Sequence, residues 1–198
     1  MDYSVQTSLV PAGARLVCGL DEAGRGPLAG DVYAAAVILP DGYVPDGLND
    51  SKKLSEKKRE KLFDEITENA LAFCVASATH AEIDEINILN ASLLAMRRAL
   101  AGLNVRPDYL LVDGNVFRGF DTPGKSVVKG DALIPAIAAA SILAKVSRDR
   151  SCAELDRLYP EYGFLKHKGY PTALHREMVL KYGPSPVHRR SFLKKILP

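Results

Sequence analysis

The sequence is poor in residues that mark several classes of protein. Its 198 residues include no tryptophan, four histidines and three cysteines. The cysteines, Cys18, Cys74 and Cys152, show no C-x-x-C spacing and lie in apolar stretches. This pattern argues against a disulfide framework and a cysteine-based zinc site, because both need closely spaced or numerous cysteines. We therefore expect reduced, buried thiols, as is typical of a cytoplasmic protein.

Long apolar runs are missing as well. The longest nearly apolar stretch, residues 134–144, is far shorter than the roughly 20 residues that a membrane-spanning helix requires. The N-terminus has neither the basic start nor the apolar segment of a secretory signal. We therefore expect no membrane span, no export and a cytoplasmic location.

Charge is distributed unevenly along the chain. The net charge is +2, but residues 166–198 contain eight Lys or Arg and one acid, Glu177. This segment alone carries +7, which leaves the rest of the chain at −5. A basic segment of this kind suits a phosphate backbone, although a solvated surface is an equally good reading of charge alone.

Hydrophobic patterning predicts five strands interleaved with helices. The strands are predicted at residues 15–20, 32–39, 71–79, 108–112 and 126–130. The helices are predicted from Ser55 to about residue 70, over 88–101, over 132–158, and from Thr172 to Gly183, with a partly ordered tail behind. The first two strands are joined by a short turn with glycine and proline, so they should be antiparallel neighbours. The predicted fold class is therefore α/β, with a mixed central sheet flanked by helices.

Acidic residues follow three of the predicted strands. Asp21 and Glu22 follow the first, Asp113 follows the fourth, and Asp131 lies just after the fifth. The C-terminal ends of neighbouring strands in an α/β sheet meet at one crevice, so we expect these carboxylates to converge. Such a cluster needs protons or cations to compensate it, and oxygen ligands without His or Cys favour Mg²⁺ or Mn²⁺. Two such ions about 4 Å apart would support in-line hydrolysis of a phosphodiester.

Local sequence leaves simpler alternatives open for these acids. Asp113 begins the turn signal "DGN", and Asp131 can cap the following helix. Adjacent acid pairs occur three times, about as often as chance provides, so only context distinguishes Asp21 and Glu22. Adjacent side chains of a strand point to opposite faces. Either the strand has ended by Glu22, or this residue reaches the metal partly through its backbone carbonyl.

The glycine-rich segment "GRGPLAG", residues 24–30, does not match a dinucleotide-binding fingerprint. Pro27 interrupts the G-x-G-x-x-G pattern, and the segment that follows is a predicted strand where the fingerprint needs a helix. Gly24 and Gly26 flank Arg25 and leave the main chain open to close approach by a ligand. A plain hairpin turn is the alternative.

Six separated segments of the chain resemble, in order, the motifs of bacterial ribonuclease HII. They are "GLDEAGRGPLAG", "NDSKKLS", "LLVDGN", "VVKGDALIPAIAAASILAKVSRDR", "HKGYPTALH" and "YGPSPVHRRSF". The resemblance extends from residue 17 to about residue 192. It implies a ribonuclease H-like catalytic domain over residues 1–158 and a basic C-terminal helical extension over residues 159–198 that contacts the substrate.

The resemblance also implies roles for individual residues. Two Mg²⁺ or Mn²⁺ ions would be held by the four acids, Asp21, Glu22, Asp113 and Asp131. The backbone of Gly24, Arg25 and Gly26 would contact the 2′-hydroxyl of a ribonucleotide, and Tyr170 corresponds to a tyrosine of the family. The lysines and arginines expected to contact phosphates are Lys52, Lys53, Lys166, Lys168, Arg189 and Arg190.

The reaction implied by the resemblance is endonucleolytic. The family cleaves RNA hybridised to DNA and single ribonucleotides embedded in duplex DNA. Water attacks the phosphate on the 5′ side of the ribonucleotide and leaves a 3′-hydroxyl and a 5′-phosphate. We expect the chain to act as a monomer on these nucleic acids.

Two other functions compete with this interpretation. A nuclease or integrase of the same fold could act on DNA without requiring a ribose, although the Gly-Arg-Gly segment and Tyr170 argue against it. A non-catalytic module could bind hybrids through the basic C-terminal segment alone. The four acids argue against that alternative, because a negative cluster weakens binding to phosphates.

Several polar residues towards the end of the chain have structural interpretations. His167, His175 and His188 lack metal-ligand spacing, so we expect hydrogen-bonded structural roles. Asp149 is expected to form a helix-surface pair with a nearby arginine. The terminal "SFLKKILP" is expected to fray, although its apolar pattern could dock on a partner.

Overall fold

The computed structural model describes residues 1–194, 196 and 197. The strands are β1 (Val17–Ala23), β2 (Val32–Ile38), β3 (Ala72–Ala78), β4 (Tyr109–Asp113) and β5 (Gly124–Val127). The helices are α1 (Tyr3–Ser8), α2 (Glu56–Asn69), α3 (His80–Ala101), α4 (Gly130–Leu133), α5 (Pro135–Leu158), α6 (Phe164–His167), α7 (Ala173–Tyr182) and α8 (Arg190–Leu193). A short 3-10 helix spans Ser51–Lys53.

The strands form one mixed sheet in the order β3-β2-β1-β4-β5. β1 is antiparallel to β2, and β2 is antiparallel to β3. On the other side β4 runs parallel to β1, and β5 runs parallel to β4. The predicted α/β class, the five strands and the antiparallel pairing of the first two are therefore confirmed.

Helices cover both faces of the sheet. One apolar cluster joins alternate residues of β1, β2 and β4 to α3, and a second joins the opposite face of β2 to α2 and α5. The axis of α5 comes very close to β1, because a Cβ on Gly19 would lie 2.1 Å from the carbonyl carbon of Ala136. The small side chains of residues 136–141, "AIAAAS", allow this close packing. The sheet therefore holds α5 firmly beside the C-terminal end of β1.

Two of the predicted helices have other bounds in the structure, and α1 and α6 were not predicted. α3 begins at His80, eight residues earlier than expected, because Thr79 and Glu82 form a capping box and the helix continues through a kink at Asn87 (φ 65°). The helix predicted over 132–158 is divided into α4 and α5 at Ile134, whose backbone is extended. Pro135 explains the division, because a proline disfavours the helical conformation of the residue before it.

The last predicted strand is also displaced. It spans Gly124–Val127 instead of 126–130, so Asp131 does not end a strand. Asp131 instead lies inside the first turn of α4; the alternative that it caps this helix is wrong, because Lys129 is the N-cap residue and no side chain caps the helix. Lys129, in the left-handed region at φ 56°, provides the reversal between the two elements.

The C-terminal helices pack against the segment that follows β1. An apolar cluster joins Leu28 and Ala29 to Tyr162, Phe164 and Val179. Ala29 also forms a β-bridge with His188, and Thr172 caps α7 as predicted. The segment predicted as a partly ordered tail contains α8 and is fixed to the rest of the protein at least as far as Leu193. None of the described helices is long and apolar enough to cross a membrane.

Candidate active site

The acids come together where the parallel strands end. The pairing of β1 with β4 stops at Leu20 and Val112, so Asp21 and Asp113 are the next residues on the two strands. The backbone N–H of Asp131 donates to Oδ1 of Asp113 over 3.3 Å. The predicted convergence of the three segments is therefore observed, although Asp131 arrives from a helix and not from a strand end.

Asp21 and Glu22 lie on opposite faces of β1. The strand continues to Ala23, so it has not ended by Glu22, and that alternative is wrong. Asp21 lies on the same face of β1 as Gly19, which contacts α5, and it lines a cleft together with Ser141 of α5. Both acids nevertheless line one cleft near the C-terminal end of β1. A contribution from the backbone carbonyl of Glu22 stays a prediction.

The electrostatics of the cluster favour a bound cation. Burial raises the pKa of Asp21 well above its usual value, and the nearby charges of Glu22 and Asp113 raise it further. Burial likewise raises the pKa of Glu22 and of Asp113. Asp21 is only 4% exposed. Ionising these groups together is therefore costly unless protons or a cation compensate their charge.

Two basic side chains already neutralise part of the cluster. Nζ of Lys52 lies 3.0 Å from Oδ2 of Asp131, and Nη1 of Arg25 lies 3.1 Å from Oε1 of Glu22. Among the described residues, no three His, Cys, Asp or Glu side chains are arranged to hold a metal ion as they stand. The donor set still fits a hard divalent ion, because it consists of carboxylate oxygens whose ionisation is penalised by burial. Metal binding would then replace Lys52 and Arg25 as the partners of the acids.

The Gly-Arg-Gly loop and Tyr170 line the same cleft as the acids. The cleft has a volume of about 290 Å³ and is bounded by Gly24, Arg25, Gly26 and Tyr170 together with three of the four acids. Gly24 has φ 102°, a conformation that favours glycine. A Cβ on Gly26 would lie 3.5 Å from the ring of Tyr170, which is 42% exposed. The loop and the tyrosine are therefore in contact, although they are far apart in the sequence.

The basic residues predicted to contact phosphates do not all lie on the surface. Lys52, Lys53, Lys166 and Arg190 are exposed, and Lys168 is half-buried. Arg189 is completely buried, and its guanidinium donates to main-chain carbonyls of the segment 24–30. The prediction that Arg189 contacts phosphate is therefore wrong, because its donors are already used inside the protein.

Sequence reasoning missed a polar stripe on α5. Ser141, Lys145 and Arg148 recur at helical spacing and line the cleft, although α5 is otherwise mostly apolar along its first half. Arg148 is 1% exposed, donates to the carbonyl of Lys168 over 2.6 Å, and lies 5.6 Å from the centre of the Tyr170 ring. Polar residues recurring on one face of a buried helix were the available signal.

Asp149 also differs from its predicted surface pairing. It is 7% exposed, and its nearest cationic partner is Lys145, at 2.5 Å, one turn earlier on α5. An arginine is present at a longer distance, with Nη2 of Arg59 at 3.8 Å. The pairing is therefore largely buried, because α5 lies between the sheet and the C-terminal helices.

The three histidines of the C-terminal segment are buried and hydrogen-bonded, as predicted. His167 bonds the carbonyl of Tyr162, and His175 bonds the carbonyl of Tyr170 and the ring of His188. They therefore support the chain on either side of Tyr170.

Larger clefts lie elsewhere but lack a comparable cluster. One, of about 510 Å³, lies beside the end of α3 and contains a single acid, Asp121. Another, of about 480 Å³, lies beside α1 and contains Asp41. The cleft at the C-terminal ends of β1 and β4 is therefore the better candidate for metal-dependent chemistry.

Comparison with known proteins identifies the family. The model of the family described as ribonuclease HII matches residues 18–195. The chain belongs to the ribonuclease HII family. A ribonuclease HII from Marinomonas sp. (strain MWYL1) is 61% identical over 185 residues, which cover 92% of this chain and 93% of that protein. Members of the family are metal-dependent endonucleases with ribonuclease H activity on RNA-DNA hybrids, so this chain is an enzyme of that type.

Solved structures support the same assignment. The ribonuclease H2 of Pyrococcus horikoshii OT3 has a TM-score of 0.75 at 31% identity, covering 91% of this chain and 96% of that one. The ribonuclease HII in the PCNA:RNase HII complex from Archaeoglobus fulgidus has a TM-score of 0.70 at 25% identity, covering 88% and 94%. Bst-RNase HIII, solved in complex with Mn²⁺, has a TM-score of 0.69 at 17% identity and covers 90% and 65%, which supports the shared fold. The resemblance of this chain to ribonuclease HII is thus confirmed.

Proposed function

We propose that this ribonuclease HII cleaves RNA in RNA-DNA hybrids and cuts on the 5′ side of single ribonucleotides in duplex DNA, leaving a 3′-hydroxyl and a 5′-phosphate. The observation that carries the proposal is the shared cleft. Three of the acids, the Gly-Arg-Gly loop and Tyr170 line this one cleft, so chemistry and ribose recognition can act on the same nucleotide. In this proposal residues 1–158 form the catalytic domain, residues 159–198 form the substrate-contacting extension, and the enzyme acts as a monomer.

The four acids have the role of metal ligands. Asp21, Glu22, Asp113 and Asp131 would hold two Mg²⁺ or Mn²⁺ ions. When bound, such ions supply the Lewis acidity that activates water and stabilises the departing 3′-oxygen. Until then Lys52 and Arg25 balance part of the negative charge, since each is bonded to one of the acids. Ser141 of α5 lines the cleft beside Asp21.

The loop and Tyr170 have the role of recognising ribose. The 2′-hydroxyl is the group that distinguishes RNA from DNA at a given nucleotide. The backbone of Gly24, Arg25 and Gly26 would contact this group. Because the carbonyls of Gly24 and Arg25 accept hydrogen bonds from Arg189, the N–H groups of Arg25 and Gly26 are the donors that remain on the exposed part of the loop. The hydroxyl of Tyr170 can bond the 2′-hydroxyl or the adjacent phosphate, while its ring can stack on a sugar or base.

The proposal is tested with three duplexes of one sequence. One contains a single ribonucleotide, one contains a full RNA strand, and one is all DNA; each is incubated with Mg²⁺ or Mn²⁺, and the cut positions are read on a gel. We expect cleavage of the first two and a cut on the 5′ side of the ribonucleotide. Cleavage of the all-DNA duplex would favour a DNA nuclease, and binding of all three without cleavage would favour a non-catalytic module.

Tyr170 offers a graded test of ribose recognition. Tyr170→Phe keeps the ring and loses one hydrogen bond, so kcat/KM should fall by the equivalent of about 0.5–1.5 kcal/mol. Tyr170→Ala also loses stacking, which should cost about 1–3 kcal/mol more. Tyr182→Phe and Tyr182→Ala are the controls, because Tyr182 is similarly exposed on the same extension but lies outside the cleft. Equal rates for wild type and both Tyr170 variants would place Tyr170 outside the reaction.

The exposed basic residues should contribute to the salt dependence of binding. Lys166 and Arg190 are both exposed, so Lys166→Ala combined with Arg190→Ala should remove two phosphate contacts. Each lost contact should reduce the slope of log affinity against log salt by about 0.9. Lys57→Ala, an exposed change on α2, is the control. An unchanged slope in the double variant would show that these two charges face solvent.

A further inference from the structure

Arg189 makes an unusual set of contacts for an arginine. Its side chain has no exposed surface. Nε donates to the carbonyl of Gly30 at 2.8 Å, Nη1 donates to those of Arg25 at 3.1 Å and Pro27 at 2.9 Å, and Nη2 donates to that of Gly24 at 2.7 Å. One guanidinium therefore holds four carbonyls of a single seven-residue segment.

These bonds are not the usual setting of a buried positive charge. Burying a charged group is costly unless it is paired, and the described contacts of this guanidinium are neutral carbonyls. Burial lowers the pKa of Arg189 to about 9, and the nearby charge of Arg148 adds to the effect. A buried charge that costs stability in this way points to a function beyond packing. The planar donors of the guanidinium can fix the orientation of peptide planes, which an apolar side chain cannot do.

The orientation of the peptide planes follows from these contacts. In a trans peptide the carbonyl and the following N–H point in opposite directions. Because the carbonyls of Gly24 and Arg25 point towards Arg189, the N–H groups of Arg25 and Gly26 point away from it. Those two residues also line the cleft. The side chain of Arg189 thus directs the N–H groups of Arg25 and Gly26 away from the protein interior.

The main chain on either side of Arg189 holds the same loop in place. The N–H of Arg189 donates to the carbonyl of Leu28 at 2.8 Å, and the N–H of Gly30 donates to that of Val187 at 2.9 Å. The N–H of Leu28 donates to the carbonyl of Gly169, the neighbour of Tyr170, at 2.8 Å. The segment that contains Arg189 and the residue before Tyr170 therefore both bond the main chain that follows Gly26.

We infer that Arg189 is a positioning residue for ribose recognition: it orients the N–H groups of Arg25 and Gly26 towards the 2′-hydroxyl of the substrate. The inference rests on the proposed function, since it gives the loop the 2′-hydroxyl as its ligand. Arg189 acts from behind the loop and touches no substrate. Its effect should therefore be on selectivity for ribose and not on general affinity for duplexes.

The test measures preference for one 2′-hydroxyl. Two labelled duplexes differ only at one nucleotide, ribo or deoxyribo, and their dissociation constants are compared in the presence of Mg²⁺ in an Asp21→Asn background, which prevents cleavage. The parent should prefer the ribonucleotide duplex by about tenfold, as expected for one or two hydrogen bonds. Arg189→Lys and Arg189→Gln, which cannot span four carbonyls, should reduce this preference to near onefold while binding the all-DNA duplex like the parent.

The ratio separates positioning from a loss of folded protein. A smaller folded fraction weakens binding to both duplexes equally, so it leaves the preference unchanged. Arg176→Lys, an exposed change on α7, is the control and should keep the full preference. Full preference in both Arg189 variants would overturn the inference, as would absence of preference in the parent. Failure of both variants to fold would also overturn the inference, because Arg189 would then stabilise the whole C-terminal extension.

The proposed function fails by a different result. If the wild-type protein does not cut the single-ribonucleotide duplex with Mg²⁺ or Mn²⁺, the activity itself is wrong. If it cuts that duplex and the Arg189 variants keep their preference, only the role of Arg189 is wrong.

Discussion

Asp21→Asn is expected to abolish cleavage and, at the same time, to raise the melting temperature of the metal-free protein. The substitution removes a metal ligand but keeps the shape of the side chain. It also removes a buried charge whose pKa is raised by burial and by the charges of Glu22 and Asp113. The metal-free protein should gain about 1 kcal/mol or more, because like charges this close repel strongly at low dielectric. For a chain of this size the gain corresponds to a rise of about 2–4 °C per kcal/mol.

Asp131→Asn is the matched control for this effect. It should also abolish cleavage, but Asp131 accepts a hydrogen bond from Nζ of Lys52 at 3.0 Å, so its charge is already compensated. Its removal should not raise the melting temperature. Added Mg²⁺ should stabilise the wild type and leave both variants nearly unchanged, since a ligand stabilises only the form that binds it. A lower melting temperature for metal-free Asp21→Asn would contradict the repelling cluster.

The pH dependence of the acid cluster has a definite sign. The pKa values of Asp21, Glu22 and Asp113 are raised in the folded protein. The folded state therefore binds more protons than the unfolded state above the ordinary carboxyl range, and stability from this source falls as pH rises through that window. Asp21→Asn should weaken this part of the dependence in the absence of metal.

Local signals in the sequence were sufficient for much of the fold. Apolar runs located the strands near their observed positions, and the short turn after β1 required an antiparallel neighbour. Ser55 and Thr172 were recognised as helix caps because a side-chain oxygen can accept from the first free N–H groups, and both do so. The convergence of Asp21 and Asp113 followed from the direction of two parallel strands.

Other features depend on contacts that no local pattern encodes. Arg189 was predicted to contact phosphate because it lies in a basic segment that resembles a family motif, yet its side chain is buried and its partners lie about 160 positions earlier in the chain. Arg148 is buried because the C-terminal helices fold over α5, which sequence order alone does not reveal. Asp131 was placed after a strand end because residues 126–130 were predicted to form that strand, whereas β5 ends at Val127 and α4 begins at Gly130.

The buried histidines should make the stability of the C-terminal extension, residues 159–198, sensitive to acid. The N–H of Ser185 donates to Nδ1 of His188, so the hydrogen of neutral His188 is on Nε2. That hydrogen is directed to Nε2 of His175, 3.0 Å away, and Nδ1 of His175 then donates to the carbonyl of Tyr170 at 3.0 Å. The chain is complete only while both rings are neutral. One more proton would place two donors against each other.

The pKa values agree with this arrangement. Burial lowers the pKa of His175 and of His188 from 6.5 to about 4, with further effects from the neighbouring histidines and Arg190. Between these values the unfolded state binds more protons than the folded state. Stability from the histidines should therefore be full above pH 6.5 and be lost as pH falls towards about 4. A shift of this size is worth about 3 kcal/mol for one histidine.

We therefore expect the melting temperature of the protein to fall steeply between pH 6.5 and pH 4, and the pH slope to be smaller in His188→Gln, which removes one titrating ring of the chain. The slope is the informative quantity, because any constant loss of stability in the variant cancels from it. His80→Gln is the control, since His80 lies at the start of α3 and pairs with Asp31 outside the chain. Because the last acceptor of the chain is the carbonyl of Tyr170, cleavage measured at stepped pH should be lost at a higher pH than the central sheet unfolds. An identical pH slope in wild type and His188→Gln would show that the histidine chain does not control acid stability.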